Sequence, residues 1–135
     1  MEESVELKDL TLRSYAALSS QDHLFFERHV SQADGMLGIG TGPSEWWAGH
    51  GRFVNVLNDA MGYFSIIAGG PQAFSEGTVG WMADNARLKI PGGKEIPLRL
   101  TLIFHQEEGE WKIIQWHSSI GVPDEDLERM ALNVK

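Results

Sequence analysis

The residues that could transfer a proton are few and lie far apart in the sequence. His50 stands between two glycines and close to a pair of tryptophans, and Asp34 precedes a short apolar segment. Either side chain could accept a proton beside a carbonyl group, with the hydroxyl of Tyr15 as the donor. A loop histidine and a turn-capping aspartate are the plainer interpretations of these positions. Catalysis therefore has candidates here, but no motif.

Aromatic side chains indicate a second chemistry, the binding of an apolar molecule. Trp81 and Trp116 fall in predicted strands and could line a pocket, although a buried tryptophan is often ordinary core. A single helical turn is predicted from Ser44, so that one of its two adjacent tryptophans would cap the pocket mouth and the other would pack outward. The expected ligand-contacting residues are Tyr15, Trp46, Trp47, His50, Trp81, Trp116 and Ser118.

Motifs for other site chemistry are missing from the sequence. None of the five histidines is joined to another ligand by a helical H-x-x-x-H or H-E-x-x-H spacing, so we predict no metal site. There is no G-x-S-x-G segment for serine-based acyl transfer. Gly69-Gly70-Pro71 does not lead into a predicted helix, which argues against a phosphate loop. We therefore predict no cofactor.

Composition excludes several classes of protein. The net charge of −8 and the scattered basic residues argue against nucleic-acid binding. No apolar run approaches the roughly 20 residues that a membrane span needs, and the acidic start is unlike a secretory signal. The absence of cysteine fits a reducing compartment. We expect one cytoplasmic domain over residues 1–135, with no membrane partner.

The apolar spacing changes from a helical period to a strand period along the chain. Helices are predicted at 4–19, 22–30, 52–61 and from Pro123 onward, the last with Leu127, Met130, Ala131 and Val134 on one side. Strands are predicted at 36–39, 63–68, 72–75, 77–90, 95–107 and 110–120. This order predicts an α+β fold with helices packed on one side of a curved antiparallel sheet.

The segment from Trp111 to Pro123 reads as the last central strand of that sheet. Strict alternation places Trp116 and Ser118 on one face with Ile114, and Ile113 on the opposite face with His117. Neither face is plainly polar, so one should cover a core or pocket while the other meets a partner.

Two segments carry a resemblance to a known family. Residues 108–119, E-G-E-W-K-I-I-Q-W-H-S-S, resemble the D-G-x-W-x-I-V-x-x-H-x-S closing strands of SnoaL-like proteins, in the nuclear transport factor 2-like superfamily. They are also similar to the association domain of calcium/calmodulin-dependent kinase II. Residues 40–49 resemble a G-T-x-P-x-E-W-W-x-G segment of uncharacterised members.

The resemblance implies a cone-shaped fold with a pocket between helices and concave sheet, often dimeric through the outer sheet face. Ketosteroid isomerase, in the same superfamily, uses a helix-one tyrosine, and Tyr15 corresponds to it. Its carboxylate base would fall at Ile39 or Gly40, which cannot accept a proton. The arginines of the kinase association domain are replaced by Ser118 and Leu102, which argues against an anion held in that way.

Three functions remain open at this point. The first is a homodimeric domain that binds a small, mostly apolar molecule among the tryptophans. The second is an enzyme of the isomerase, cyclase or dehydratase type, with His50 or Asp34 as the proton acceptor. The third is a dimeric assembly module whose pocket is vestigial. Fold alone does not choose among them.

Overall fold

Residues 1–133, the part of the chain that the structure describes, contain four helices close to the predicted positions. In this computed structural model, Ser4 caps the first helix through the amide of Leu7, and Asp22 caps the second through the amide of Leu24. The helices are α1 (Val5–Ser20), α2 (His23–His29), α3 (His50–Ala60) and α4 (Asp124–Asn133).

Eight strands complete the described chain, and six of them match the predicted ones. A short N-terminal strand was not predicted, and the helical turn predicted around Trp46 and Trp47 is wrong because these residues form a strand. Their backbone pairs with the preceding strand, and aromatic residues favour such a surface. The strands are β1 (Glu2–Glu3), β2 (Leu37–Ile39), β3 (Trp46–Ala48), β4 (Ser65–Ile67), β5 (Gln72–Glu76), β6 (Val79–Lys89), β7 (Glu95–Glu107) and β8 (Glu110–Ser119).

The strands form one mixed sheet in the order β1-β5-β6-β7-β8-β2-β3, with β4 paired to β6. Strands β5 to β8 make the predicted antiparallel meander, whereas β2 runs parallel to β8. Strand β8 is therefore central, as predicted. Helices α1, α2 and α3 contact the sheet, which gives the predicted α+β architecture.

A β-bulge in β8 changes which side chains face the helices. Ile103 pairs with Gln115 but the next residue, Phe104, pairs with Ile113, so Ile114 is the extra residue. Ile113 and Trp116 consequently both face the core and are both buried. The predicted placement of Ile113 on the face opposite Trp116 is therefore wrong, because strict alternation does not allow for a bulge.

The core lies between the helices and the inner face of the sheet. Phe26, Phe53 and Phe104 are fully buried there, together with leucines from α1 and β7. A Cβ on Gly38 would lie 2.1 Å from Cδ1 of Phe53. The glycine in β2 therefore allows helix α3 to lie directly against the strand.

Helix α4 follows β8, and the apolar side that the sequence predicted for it is exposed at Leu127 and Met130. Val134, predicted on the same side, lies outside the described residues. Among the helices of residues 1–133, none is long and apolar enough to cross a membrane.

Candidate functional site

A cavity of about 180 Å³ lies between the helices and the inner face of the sheet. Strands β4, β6, β7 and β8 form one wall, α1 and α3 form another, and the turn from β2 to β3 closes one end. The lining is mainly apolar and includes Leu18, Leu57, Ile66, Leu88 and Leu98. Such a cavity favours an apolar ligand.

Three neighbouring aromatic rings, from β8, α3 and β3, line the cavity. The ring centroids of Trp116 and Phe53 lie 5.9 Å apart, and those of Phe53 and Trp47 lie 6.3 Å apart. Trp116 is only 4% exposed, and Trp47 is half-buried. Phe64 adds a fourth ring to the lining. Aromatic side chains offer a large, rigid contact area to an apolar molecule.

Polar groups in the lining are few. Ser118 on β8 reaches the cavity, as predicted, and its hydroxyl donates a long hydrogen bond of 3.4 Å to the carbonyl of Ile39. Thr41 and Glu45 come from the turn between β2 and β3. Among residues 1–133, Glu45 is the only titratable side chain in this lining, and we did not predict it.

The turn holds the Glu45 side chain in place. Its Oε1 accepts hydrogen bonds from the amide of Gly42 and, at 3.5 Å, from the hydroxyl of Thr41. A backbone hydrogen bond of 2.9 Å from Gly40 to the carbonyl of Glu45 closes the same turn. The G-T-x-P-x-E-W-W-x-G likeness contained this glutamate, but the sequence alone did not show that the turn faces the cavity.

Gly40 makes the room that Glu45 and Trp47 need. A Cβ at this position would lie 2.9 Å from Oε1 of Glu45 and 2.8 Å from Cη2 of Trp47. Any larger residue would push one of these side chains away. Gly40 itself has no carboxylate, and the carboxylate in the lining belongs to Glu45, five residues further along.

Tyr15 does not line the cavity, so its predicted position is wrong. The side chain is buried, and its hydroxyl donates a 2.9 Å hydrogen bond to Oδ2 of Asp84 on β6. Asp84, 5% exposed, also accepts from the amides of Gly69 and Gly70. Burial, and then the bond to Asp84, raise the pKa of Tyr15 above its ordinary range. The pair anchors a loop to the core.

His50 and Asp34 also lie outside the cavity lining. His50 begins α3, and its Nδ1 donates a 3.1 Å hydrogen bond to the carbonyl of Val30, while Nε2 faces Glu27 at 3.4 Å. Asp34 is exposed in the turn before β2. Neither can accept a proton from a molecule in the cavity, so the hypothesis that assigned them this role is wrong.

Trp81 and Trp46 point to the outer face of the sheet. Trp81 pairs with Ile103, which pairs with Gln115, so these three side chains lie on one face of the sheet. Trp116, the residue after Gln115, points to the opposite, inner face. Trp81 stacks on Phe74 with centroids 6.4 Å apart. Trp46 is 60% exposed. The prediction that these two tryptophans contact the pocket is wrong, because strand register places them on the other side.

A polar cluster near the β7–β8 hairpin lies away from the cavity. The hydroxyl of Ser31 donates a 2.6 Å hydrogen bond to Oε2 of Glu107, which also lies 3.0 Å from Nδ1 of His105. Burial acts to raise the pKa of Glu107, but these hydrogen bonds outweigh it and the pKa is lowered. Ser31 bonds to the acid rather than to the imidazole, so the cluster lacks the order of a hydrolytic triad.

Comparisons with known proteins agree with this fold. The SnoaL-like domain model matches residues 7–123. A nuclear transport factor 2-like protein of unknown function from Pseudomonas putida has a TM-score of 0.77 at 16% identity, covering 90% of this chain and 88% of its own. An uncharacterised cystatin-like protein from Caulobacter vibrioides has a TM-score of 0.72 at 16% identity, covering 95% and 96%.

A third solved structure, a provisionally named dehydratase of the nuclear transport factor 2-like family from Streptomyces avermitilis, has a TM-score of 0.73 at 14% identity, covering 87% of this chain and 95% of its own. At these identities the likeness shows the fold alone. No curated protein matches the sequence. Within residues 1–133, no three His, Asp or Glu side chains are grouped as they would be to hold a metal ion.

Proposed function

The chain belongs to the SnoaL-like domain family, and on this premise we propose that it binds a small, mostly apolar molecule in the aromatic-lined cavity. The observation that carries the proposal is the cavity of about 180 Å³ walled by Trp47, Phe53 and Trp116. An engineered apolar cavity of about 150 Å³ binds benzene, so this one has room for a single ring with a short substituent. A ligand of that size would bind with a dissociation constant of about 0.1–1 mM.

A cavity-filling substitution tests the proposal. Ala60 lines the cavity on α3, so Ala60→Leu should occupy part of the volume and weaken the binding of toluene at least about tenfold, as measured by titration calorimetry. Ala16→Leu, at an exposed position of α1, is the matched control and should bind toluene as the wild type does. If toluene and similar single-ring molecules do not bind to the wild type, the proposal is wrong.

The second candidate is an enzyme of the isomerase, cyclase or dehydratase type. The observation in its favour is Glu45, a carboxylate within the lining that could accept a proton from a bound substrate. Thr41 or Ser118 would then have to supply the hydroxyl that stabilises the product. An enzyme of this kind would lose turnover in Glu45→Gln yet still bind neutral ligands, whereas a binding protein would show no turnover in either form.

We also propose that the chain forms a homodimer through the outer face of the sheet. An antiparallel sheet that faces water usually carries polar residues on that face. Here the row that crosses the sheet from β2 to β5 consists of Leu37, Gln115, Ile103, Trp81 and Phe74, all of them half-exposed and all apolar except Gln115. A second copy of the chain would cover this apolar row.

Light scattering tests the dimer. Trp81→Lys places a charge in the centre of the apolar row and should convert a dimer into a monomer. Leu24→Lys, at an exposed position of α2, is the control and should leave the mass unchanged. A wild-type protein that is monomeric at every concentration measured contradicts the proposal. The cytoplasmic location stays a prediction from composition.

A further inference from the structure

We propose that the ligand of the cavity carries a positively charged nitrogen, held between the carboxylate of Glu45 and the indole ring of Trp47. This inference rests on the proposed function, since it names the chemical class of the molecule that the cavity binds. It concerns the polar end of the ligand, whereas the apolar lining described above concerns its body.

The first support is the bonding state of the carboxylate. The hydrogen bonds to the Glu45 side chain come from Gly42 and Thr41, and both go to Oε1. Among residues 1–133, no Lys, Arg or His lies within ion-pair distance of it. Within this part of the chain, Oε2 accepts no hydrogen bond and the carboxylate has no counterion. A carboxylate in an apolar wall favours a cationic donor.

The second support is the position of the tryptophan ring. Cη2 of Trp47 and Oε1 of Glu45 both lie within 3 Å of the point where a Cβ of Gly40 would be. The carboxylate and the indole are therefore neighbours at the same end of the cavity. A cation that lies beside the carboxylate and over the face of the indole would be attracted by both groups, and tryptophan is the ring that attracts cations most strongly.

The third support is the sign of the charge around the site. Of the described residues, those that line the cavity include Glu45 but no basic side chain, so an anionic ligand would be repelled by Glu45 without gaining a cationic partner. The chain as a whole carries a net charge of −8, which raises the local concentration of cations over that of anions. A neutral ligand would not neutralise the charge of Glu45. The site thus fits a small aromatic or alicyclic amine.

Three probes with the same ring distinguish a cationic, a neutral and an anionic ligand. Benzylammonium, benzyl alcohol and benzoate are titrated into the wild type and into Glu45→Gln by calorimetry. The glutamine amide oxygen can still accept the Gly42 hydrogen bond, so the turn should keep its conformation. We expect benzylammonium to bind at least about tenfold more tightly than benzyl alcohol in the wild type, with benzoate the weakest.

In Glu45→Gln, the ratio of the dissociation constant of benzyl alcohol to that of benzylammonium should fall to about one, while the affinity for benzyl alcohol is unchanged. Glu76→Gln removes an exposed charge far from the cavity and is the matched control for net charge; it should keep the preference. If benzyl alcohol binds as tightly as benzylammonium, or if Glu76→Gln loses the preference equally, the inference is overturned and the proposed function stands. If none of the three binds but toluene does, the inference alone is overturned; if toluene also fails to bind, both are overturned.

Discussion

Gly38 is the position at which a single added methyl group should disturb both the fold and the cavity. A Cβ there would lie 2.1, 2.4 and 2.9 Å from three carbons of the Phe53 ring, where normal contacts are about 3.5–4.0 Å. Phe53 is fully buried and packs against Trp47 and Trp116, so it cannot withdraw freely. Overpacking of this kind costs about 1–3 kcal/mol.

The expected change for Gly38→Ala is a loss of about 2 kcal/mol in the free energy of unfolding, measured by urea denaturation followed by circular dichroism. Because Phe53 also lines the cavity, the affinity for toluene should fall as well. Gly51→Ala is the matched control, since nothing lies within 4 Å of the added Cβ in α3. It should not destabilise the protein, because alanine is the better helix former.

A double variant identifies the cause. When Phe53 is replaced by the smaller leucine, Gly38→Ala should cost less than it does in the wild type, because the two side chains contact each other. A loss below about 0.5 kcal/mol in the single variant, or an equal loss with and without Phe53→Leu, would refute the steric argument.

Three further substitutions test separate parts of the structure. Tyr15→Phe should cost about 1.5–3 kcal/mol in urea unfolding, because it removes a hydrogen bond to a buried carboxylate, yet it should leave toluene affinity unchanged. The lowered pKa of Glu107 stabilises the fold above the ordinary value of 4.5, and this contribution is lost as pH falls through the lowered pKa. Ser31→Ala should therefore destabilise the protein at pH 7 and have a smaller effect in acid, as seen by urea unfolding at both pH values; an equal effect would contradict this. The change in fluorescence on binding toluene should be reduced in Trp116→Phe and kept in Trp81→Phe, since only Trp116 of the two lines the cavity.

Local patterns predicted the elements well. The spacing and content of apolar residues located α1 and α2, since this signal acts within a few residues along the chain. Alternation and turn glycines located the long strands β6, β7 and β8 for the same reason. The helices-then-meander order, together with the likeness in residues 108–119, was sufficient for the α+β fold.

The site was less predictable, because it depends on which segments meet. Trp81 and Trp116 look alike in sequence, yet register places one outside and the other inside the fold. Tyr15 had a suitable position on α1, but Asp84, sixty-nine residues further along, takes its hydroxyl. His50 looked like a loop residue near tryptophans, and its ring is directed toward Val30 instead.

Residue type and spacing along the chain therefore decided which segments became helices or strands and how the family is recognised. Long-range pairing decided the chemistry of the cavity: β2 joins β8 in parallel, and the following turn carries Glu45 to the cavity end beside Trp47. The physical reason is that hydrogen-bond register and the close approach allowed by Gly38 and Gly40 are properties of two segments in contact, which neither segment specifies alone.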